Sequence, residues 1–150
     1  VMSLQAQIMD VMKAAMKAKD SVALEALRAI KSEILLAQTS GSGDGVLSAE
    51  DEIKLLQKLV KQRKDSASIF AEQGRNDLAD PELAQIKVIE QFLPAQLSEQ
   101  EVEQIVKDII IEGGFSGIAS MGQVMGLASK ALAGQADGKT VSTIVKKLLA

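Results

Sequence analysis

The chain has no cysteine, histidine, tryptophan or tyrosine, only two prolines, and three phenylalanines as its whole aromatic content. Each absence removes something. Without cysteine there are no disulfides and no thiol chemistry. Without histidine the commonest general base and metal ligand is gone, so neither a Ser-His-Asp nor a Cys-His arrangement can be assembled. No run approaches the roughly 18 apolar residues that cross a bilayer. The N-terminus lacks a basic region followed by an apolar one, so no signal peptide and a cytoplasmic location are expected. With so few aromatic platforms, stacking on single-stranded bases is excluded.

What remains is rich in Ala, Leu, Ile, Val, Met, Glu, Gln and Lys, with 47% hydrophobic residues over 150 positions. Most of these are good helix formers, and the length suits one domain or two small units. The expectation is an all-α protein. Apolar residues at helical spacing, Leu4, Ile8, Val11, Met12, Ala15 and Met16, predict a first helix over 3–18. Asp20 caps a second, from Ser21 to about Ala37, with Val22, Leu27, Ile30, Ile34 and Leu35 inward. The Gly- and Ser-rich stretch 39–45 has no P-loop spacing and reads as a solvated connector.

Ser48 opens a long third helix to about Gln73, with Glu50, Asp51 and Glu52 complementing its dipole. Its apolar positions are Ile53, Leu56, Leu59, Val60, Ala67, Ile69 and Phe70. Asp80-Pro81-Glu82 predicts the start of helix four, with Leu83, Ile86, Ile89, Phe92 and Leu93 inward, ending at Pro94. The boundary between a four-helix unit, 1–94, and a three-helix unit, 95–150, falls there. Ser98 and Glu101 form a capping box for helix five, which Gly113-Gly114 breaks. Ser120-Met121-Gly122-Gln123 reads as a second capping box, opening helix six, whose small Gly122, Gly126 and Ala133 suit close helix contacts. Asp137 caps helix seven, with Val141, Ile144, Val145, Leu148 and Leu149 inward.

The net charge of −3 conceals a gradient. Residues 1–114 carry 13 Lys+Arg against 19 Asp+Glu, whereas 115–150 carry four Lys and one Asp. The acidic majority disfavours non-specific nucleic-acid binding, but the tail could dock on phosphates. The turn Asp137–Thr140 offers helix N-terminal amides with Lys139 beside them, and Lys130, Lys146 and Lys147 flank it. Together with Gly134, Gln135, Asp137 and Gly138, these lysines are the candidate nucleic-acid-binding residues. Lys58, Lys61, Arg63 and Lys64 make a second basic run, either a solvated face paired with nearby acids or a second contact surface. No residues have metal-ligand spacing, and no cofactor is expected. The acids sit at helix starts, where dipole compensation explains pairs such as Asp51 and Glu52.

Four segments carry a resemblance. They are Lys61-Gln62-Arg63-Lys64-Asp65-Ser66 followed by Gly74-Arg75-Asn76-Asp77-Leu78; Phe92-Leu93-Pro94-Ala95-Gln96-Leu97-Ser98-Glu99; Met121-Gly122-Gln123-Val124-Met125; and Gly134-Gln135-Ala136-Asp137-Gly138. In this order, over essentially the whole chain, they resemble the GatB/YqeY family. The resemblance implies an all-helical fold whose C-terminal three-helix unit is similar to the tail domain of GatB, a component of the glutamine-dependent tRNA amidotransferase. That enzyme amidates Glu-tRNA(Gln) or Asp-tRNA(Asn), and its tail engages tRNA without performing chemistry. The family label, carbon–nitrogen ligase with glutamine as amido-N-donor, has no support here. The kinase-like cradle of GatB and the Ser-Ser-Lys amidase that works with it have no counterpart, and no catalytic residue is expected. Gln135 departs from a position usually basic in the family, leaving Lys139 as the main cation of its loop. The expected function is a non-catalytic tRNA-interaction module; the alternative is an adaptor that binds translation-related proteins without touching RNA.

Overall fold

The computed structural model describes residues 3–40 and 45–150. Among them are seven α-helices: α1 (Leu4–Ala18), α2 (Ser21–Ser40), α3 (Ala49–Glu72), α4 (Asn76–Glu90), α5 (Glu99–Gly113), α6 (Met121–Ala131) and α7 (Gly138–Leu149). A 3₁₀ turn, Ile118–Ser120, precedes α6. The described residues contain no strand, so the chain is all-α. It divides into two compact units, 1–93 and 94–150.

The first unit holds α1 to α4. Its core is aliphatic, built from Leu4, Ile8, Ala15, Ala23, Ala26, Leu27, Ile30, Ile34, Leu55, Leu56, Leu59, Val60, Ile86 and Ile89. Buried alanines on α2 let neighbouring helices approach without bulky side chains between them. The second unit packs α5, α6 and α7 around Val102, Val106, Val124, Ala128, Leu132, Val141, Ile144, Val145 and Leu149. Burying a Val, Leu or Ile side chain stabilises by about 1.5–3 kcal/mol, and such residues make up most of both small cores.

Side chains satisfy most helix starts. Ser3, Asp20, Ser48 and Asp137 each accept an amide of the first turn, from Ala6, Ala23, Asp51 and Thr140. Ser98 and Glu101 form the predicted capping box in full. Glu52 does more than complement its own helix. Its carboxylate also accepts the Leu4 amide at 3.2 Å, tying the start of α1 to α3. Three helices end in the same way, with a left-handed residue whose successor donates back into the last turn. At Gly74 (φ +72°) the Arg75 amide reaches the Phe70 carbonyl, and at Gly114 (φ +64°) the Phe115 amide reaches that of Ile110. At the end of α1 the left-handed position is Lys19 (φ +55°), which has no glycine's freedom.

Several expectations are corrected. α4 begins at Asn76, a turn before the predicted Asp80 cap, and Pro81 lies inside it. The Gly74 turn delivers Arg75 directly into the new helix, and the Arg75 carbonyl accepts the amides of Leu78 and Ala79. The Arg75 guanidinium also grips Asp77 through two bonds of 3.0 Å. Pro81, in the second turn, therefore removes only one ladder bond, to Asp77. α2 runs to Ser40 because the hydroxyls of Thr39 and Ser40 bond back to the carbonyls of Leu36 and Ala37. The rest of the predicted connector, 41–44, lies outside the described residues. Ser120 is no side-chain cap: left in helical backbone by the 3₁₀ turn, it donates its hydroxyl to the Ser116 carbonyl. Gly122 and Gly126 are exposed, and a Cβ added to either would meet nothing, so they are not helix contacts. Leu35, Ile69 and Leu83, expected inward, are 46%, 54% and 48% exposed.

Lys19→Gly should raise stability by about 0.5–1 kcal/mol by relieving the left-handed backbone; urea unfolding would measure it. Glu101 is held below the ordinary glutamate value of 4.5 because it accepts the Ser98 amide and hydrogen-bonds the Ser98 hydroxyl. With the folded value depressed, the box contributes its stability above the ordinary value and loses it as pH falls through the folded one. An NMR titration of the Ser98 amide should show a midpoint below that of an unfolded-chain glutamate, and Glu101→Gln should abolish it.

Candidate nucleic-acid interface

The apolar stripe of α7 faces the second core, which leaves Lys139, Thr143, Lys146 and Lys147 on its solvent side at helical spacing. Lys139 and Lys146 are seven residues apart, about 10 Å along the axis. Thr143 joins them, its hydroxyl donating to the Lys139 carbonyl at 2.9 Å. Sequence reasoning passed over Thr143, although its i,i+4 spacing from Lys139 was a sufficient signal. Lys147 makes a long, exposed ion pair of 3.9 Å with Glu103 of α5, a contact worth little in water.

The start of α7 is occupied by the chain itself. The Asp137 carboxylate accepts the Thr140 amide at 2.7 Å, where an external anion would otherwise bind. Gly138 and Lys139, the next two residues, are exposed or partly so. Glu99 from α5 joins Lys139, Thr140 and Thr143 around a small recess of about 190 Å³. It is a countercharge that no sequence spacing reveals.

Gly134 and Gln135 have a different role from the lysines. Gly134 is buried with φ +76°, and its carbonyl accepts the Gln96 side chain at 2.7 Å. The Gln135 carbonyl accepts the Leu97 amide at 2.9 Å, and the Gln135 side chain donates to the Ala95 carbonyl at 3.3 Å. Gln96 also reaches the Pro94 carbonyl. The loop before α7 is thus stapled to segment 94–97, with its two glutamines bonding in opposite directions. Lys130, in the last turn of α6, borders a separate shallow groove of about 450 Å³ with Phe115, Gly122, Gln123, Gly126 and Leu127.

The lysines of the second basic run are exposed, and most of the run has partners within its own unit. Lys58 pairs with Glu33 at 3.5 Å and Lys61 with Asp65 at 3.2 Å. Arg63 turns inward, donating to the Gln85 side chain at 2.8 Å and to the Leu59 carbonyl. Gln85 is the buried polar residue of α4, and this bond satisfies its oxygen. Lys64 lies on the rim of a groove between α3 and α4.

Among the described residues no group of three or more acids could hold a metal, and no helix is long and apolar enough to cross a membrane. Fold and site together define a two-unit helical protein with a lysine-bearing C-terminal helix. It belongs to the YqeY-like protein family, which it matches over residues 5–149. It is 31% identical over 142 residues to altered inheritance of mitochondria protein 41, mitochondrial, from Pyrenophora tritici-repentis, covering 92% of this chain and 76% of that one. It is also similar to the E-type subunit of glutamyl-tRNA(Gln) amidotransferase. That of Thermococcus gammatolerans is 32% identical over 102 residues, 65% of this chain and 16% of the relative. That of Thermococcus sibiricus is 31% identical over 131 residues, 85% of this chain and 19% of the relative. The chain thus spans most of the fungal relative and less than a fifth of either amidotransferase protein.

Gln96→Ala should leave the buried Gly134 carbonyl short of a partner, costing about 0.5–1.5 kcal/mol. Amide exchange at Leu97 should accelerate, because its bond to Gln135 belongs to the same staple.

Proposed function

We propose that the chain is a non-catalytic tRNA-interaction module whose C-terminal unit docks on RNA phosphates. One observation carries the reading. From residue 113 to the end, Asp137 is the only acid and it caps α7, while Lys139, Lys146 and Lys147 share one solvent face of that helix. Such a face suits a polyanion recognised by charge and shape rather than by base stacking. Kinship with proteins named for glutamyl-tRNA(Gln) amidotransferase supports tRNA as the polyanion. Lys130 adds a further cation on α6. Gly134, Gln135 and Asp137 shape the loop that leads into α7, with Gly138 at its first turn. The amidating chemistry belongs to the larger enzymes; this chain contributes no catalytic residue and no cofactor site. The fitting compartment is one where aminoacyl-tRNA is made, the cytoplasm, or in fungi the mitochondrion that the relative's name mentions.

The second reading, a translation-associated protein adaptor that makes no RNA contact, is favoured by the open glycine-floored groove beside Leu127. Filter binding of tRNA over a salt series separates the two. Affinity should fall with salt, and Lys139→Ala and Lys146→Ala should each lower the slope of log K against log salt by about 0.7–0.9. Binding no tighter than that of an unrelated acidic protein, or indifferent to both substitutions, would defeat the tRNA reading.

A further inference from the structure

α3 and α4 run on past the core of their unit. The core takes buried residues from α3 only as far as Val60 and from α4 only Ile86 and Ile89, with partly buried Val88 packed beside them. Between Val60 and Gln85 just two residues are buried, Ala67 and Ala79, and neither belongs to that core. Residues 61–85 therefore form a two-helix arm. It is closed at the tip by Gly74 and the Arg75–Asp77 fork, and pinned at the base by the bond from Arg63 to Gln85. A helical hairpin buries little apolar surface by itself, and this one leaves Ile69, Leu78 and Leu83 exposed at 54%, 39% and 48%. A groove of about 320 Å³ runs between its helices, with buried Ala67 and Ala79 in its lining and exposed Lys64 and Asp80 lining it from α3 and α4.

The charges indicate the occupant. The arm carries Lys61, Arg63, Lys64 and Arg75 against Asp65, Glu72, Asp77, Asp80 and Glu82. That near-neutral balance offers nothing to a polyanion. The arrangement is, however, complementary to itself. The Arg63–Gln85 bond sets the register of the antiparallel helices, so Lys64 lies toward the base on α3 and Asp80 toward the tip on α4, diagonally across the groove. A two-fold axis lying in the plane of the contact, perpendicular to that diagonal, would bring each Lys64 against the Asp80 of a second copy, and the reverse. We propose that this arm is a homodimerisation surface, two hairpins crossing groove to groove so that each covers the other's Leu83 and its apolar neighbours.

Sedimentation equilibrium of the full chain between about 1 and 300 µM should show a monomer–dimer equilibrium, apolar at its centre and charge-paired at its rim. Lys64→Glu and Asp80→Lys should each weaken the dimer about tenfold or more by setting like charges together. The double variant Lys64→Glu/Asp80→Lys should restore it, because the pair is merely reversed. Helical circular dichroism confirms that each variant is folded. A chain monomeric across the series, single variants that dimerise unchanged, or a double variant as weak as the singles would each overturn the proposal.

Discussion

The rest of the structure depends on satisfying the ends of short helices. Each helix leaves four amides and four carbonyls without intrahelical partners, and the seven helices among the described residues, with no disulfide between them, meet this requirement at every junction. Here the solution is almost entirely local. Ser3, Asp20, Ser48, Ser98 and Asp137 close the starts, and left-handed Lys19, Gly74 and Gly114 close the ends of α1, α3 and α5. Once the ends are closed, aliphatic stripes at helical spacing pack the buried centres of two small cores, with Phe92 and Phe115 as partly buried aromatics at their margins.

Local solutions are legible in sequence, and the non-local ones explain what was not. Asp20, Ser48, Ser98 and Asp137 each act on an amide three residues on, so composition and spacing announce them. The start of α4 misled because Asp80-Pro81 is locally an ideal helix start, yet the Gly74 turn and the Arg75–Asp77 fork had already begun the helix. Ser120 misled because a 3₁₀ turn before it had removed the extended backbone a cap needs. The staple between Gln96 and Gly134 spans 38 residues, and the bond from Glu52 to Leu4 spans 48. Spacing rules do not reach that far. The same limit applied to Ile69 and Leu83, whose apolar periodicity marks a helix face without saying whether anything covers it.

At the candidate interface the lysines of α7 were legible as a charge excess, and their common face follows from the helical period. The division of labour within the loop was not. Gly134 and Gln135 read as part of a binding motif, but their atoms bond with segment 94–97. The cations and the residues that hold them in position therefore come from adjoining stretches of one motif.

The second unit also separates its charges by helix. α5 holds Glu99, Glu101, Glu103, Asp108 and Glu112 against the single Lys107, while α6 and α7 hold Lys130, Lys139, Lys146 and Lys147. In a three-helix unit the solvent faces of the helices point in different directions, so this separation amounts to an electric dipole on a body with little net charge. A dipole feels no overall pull in a uniform field, but it turns. Near a polyanion the field is steep, and the unit would be rotated lysine-side first before any contact formed, within a range set by the Debye length of the medium.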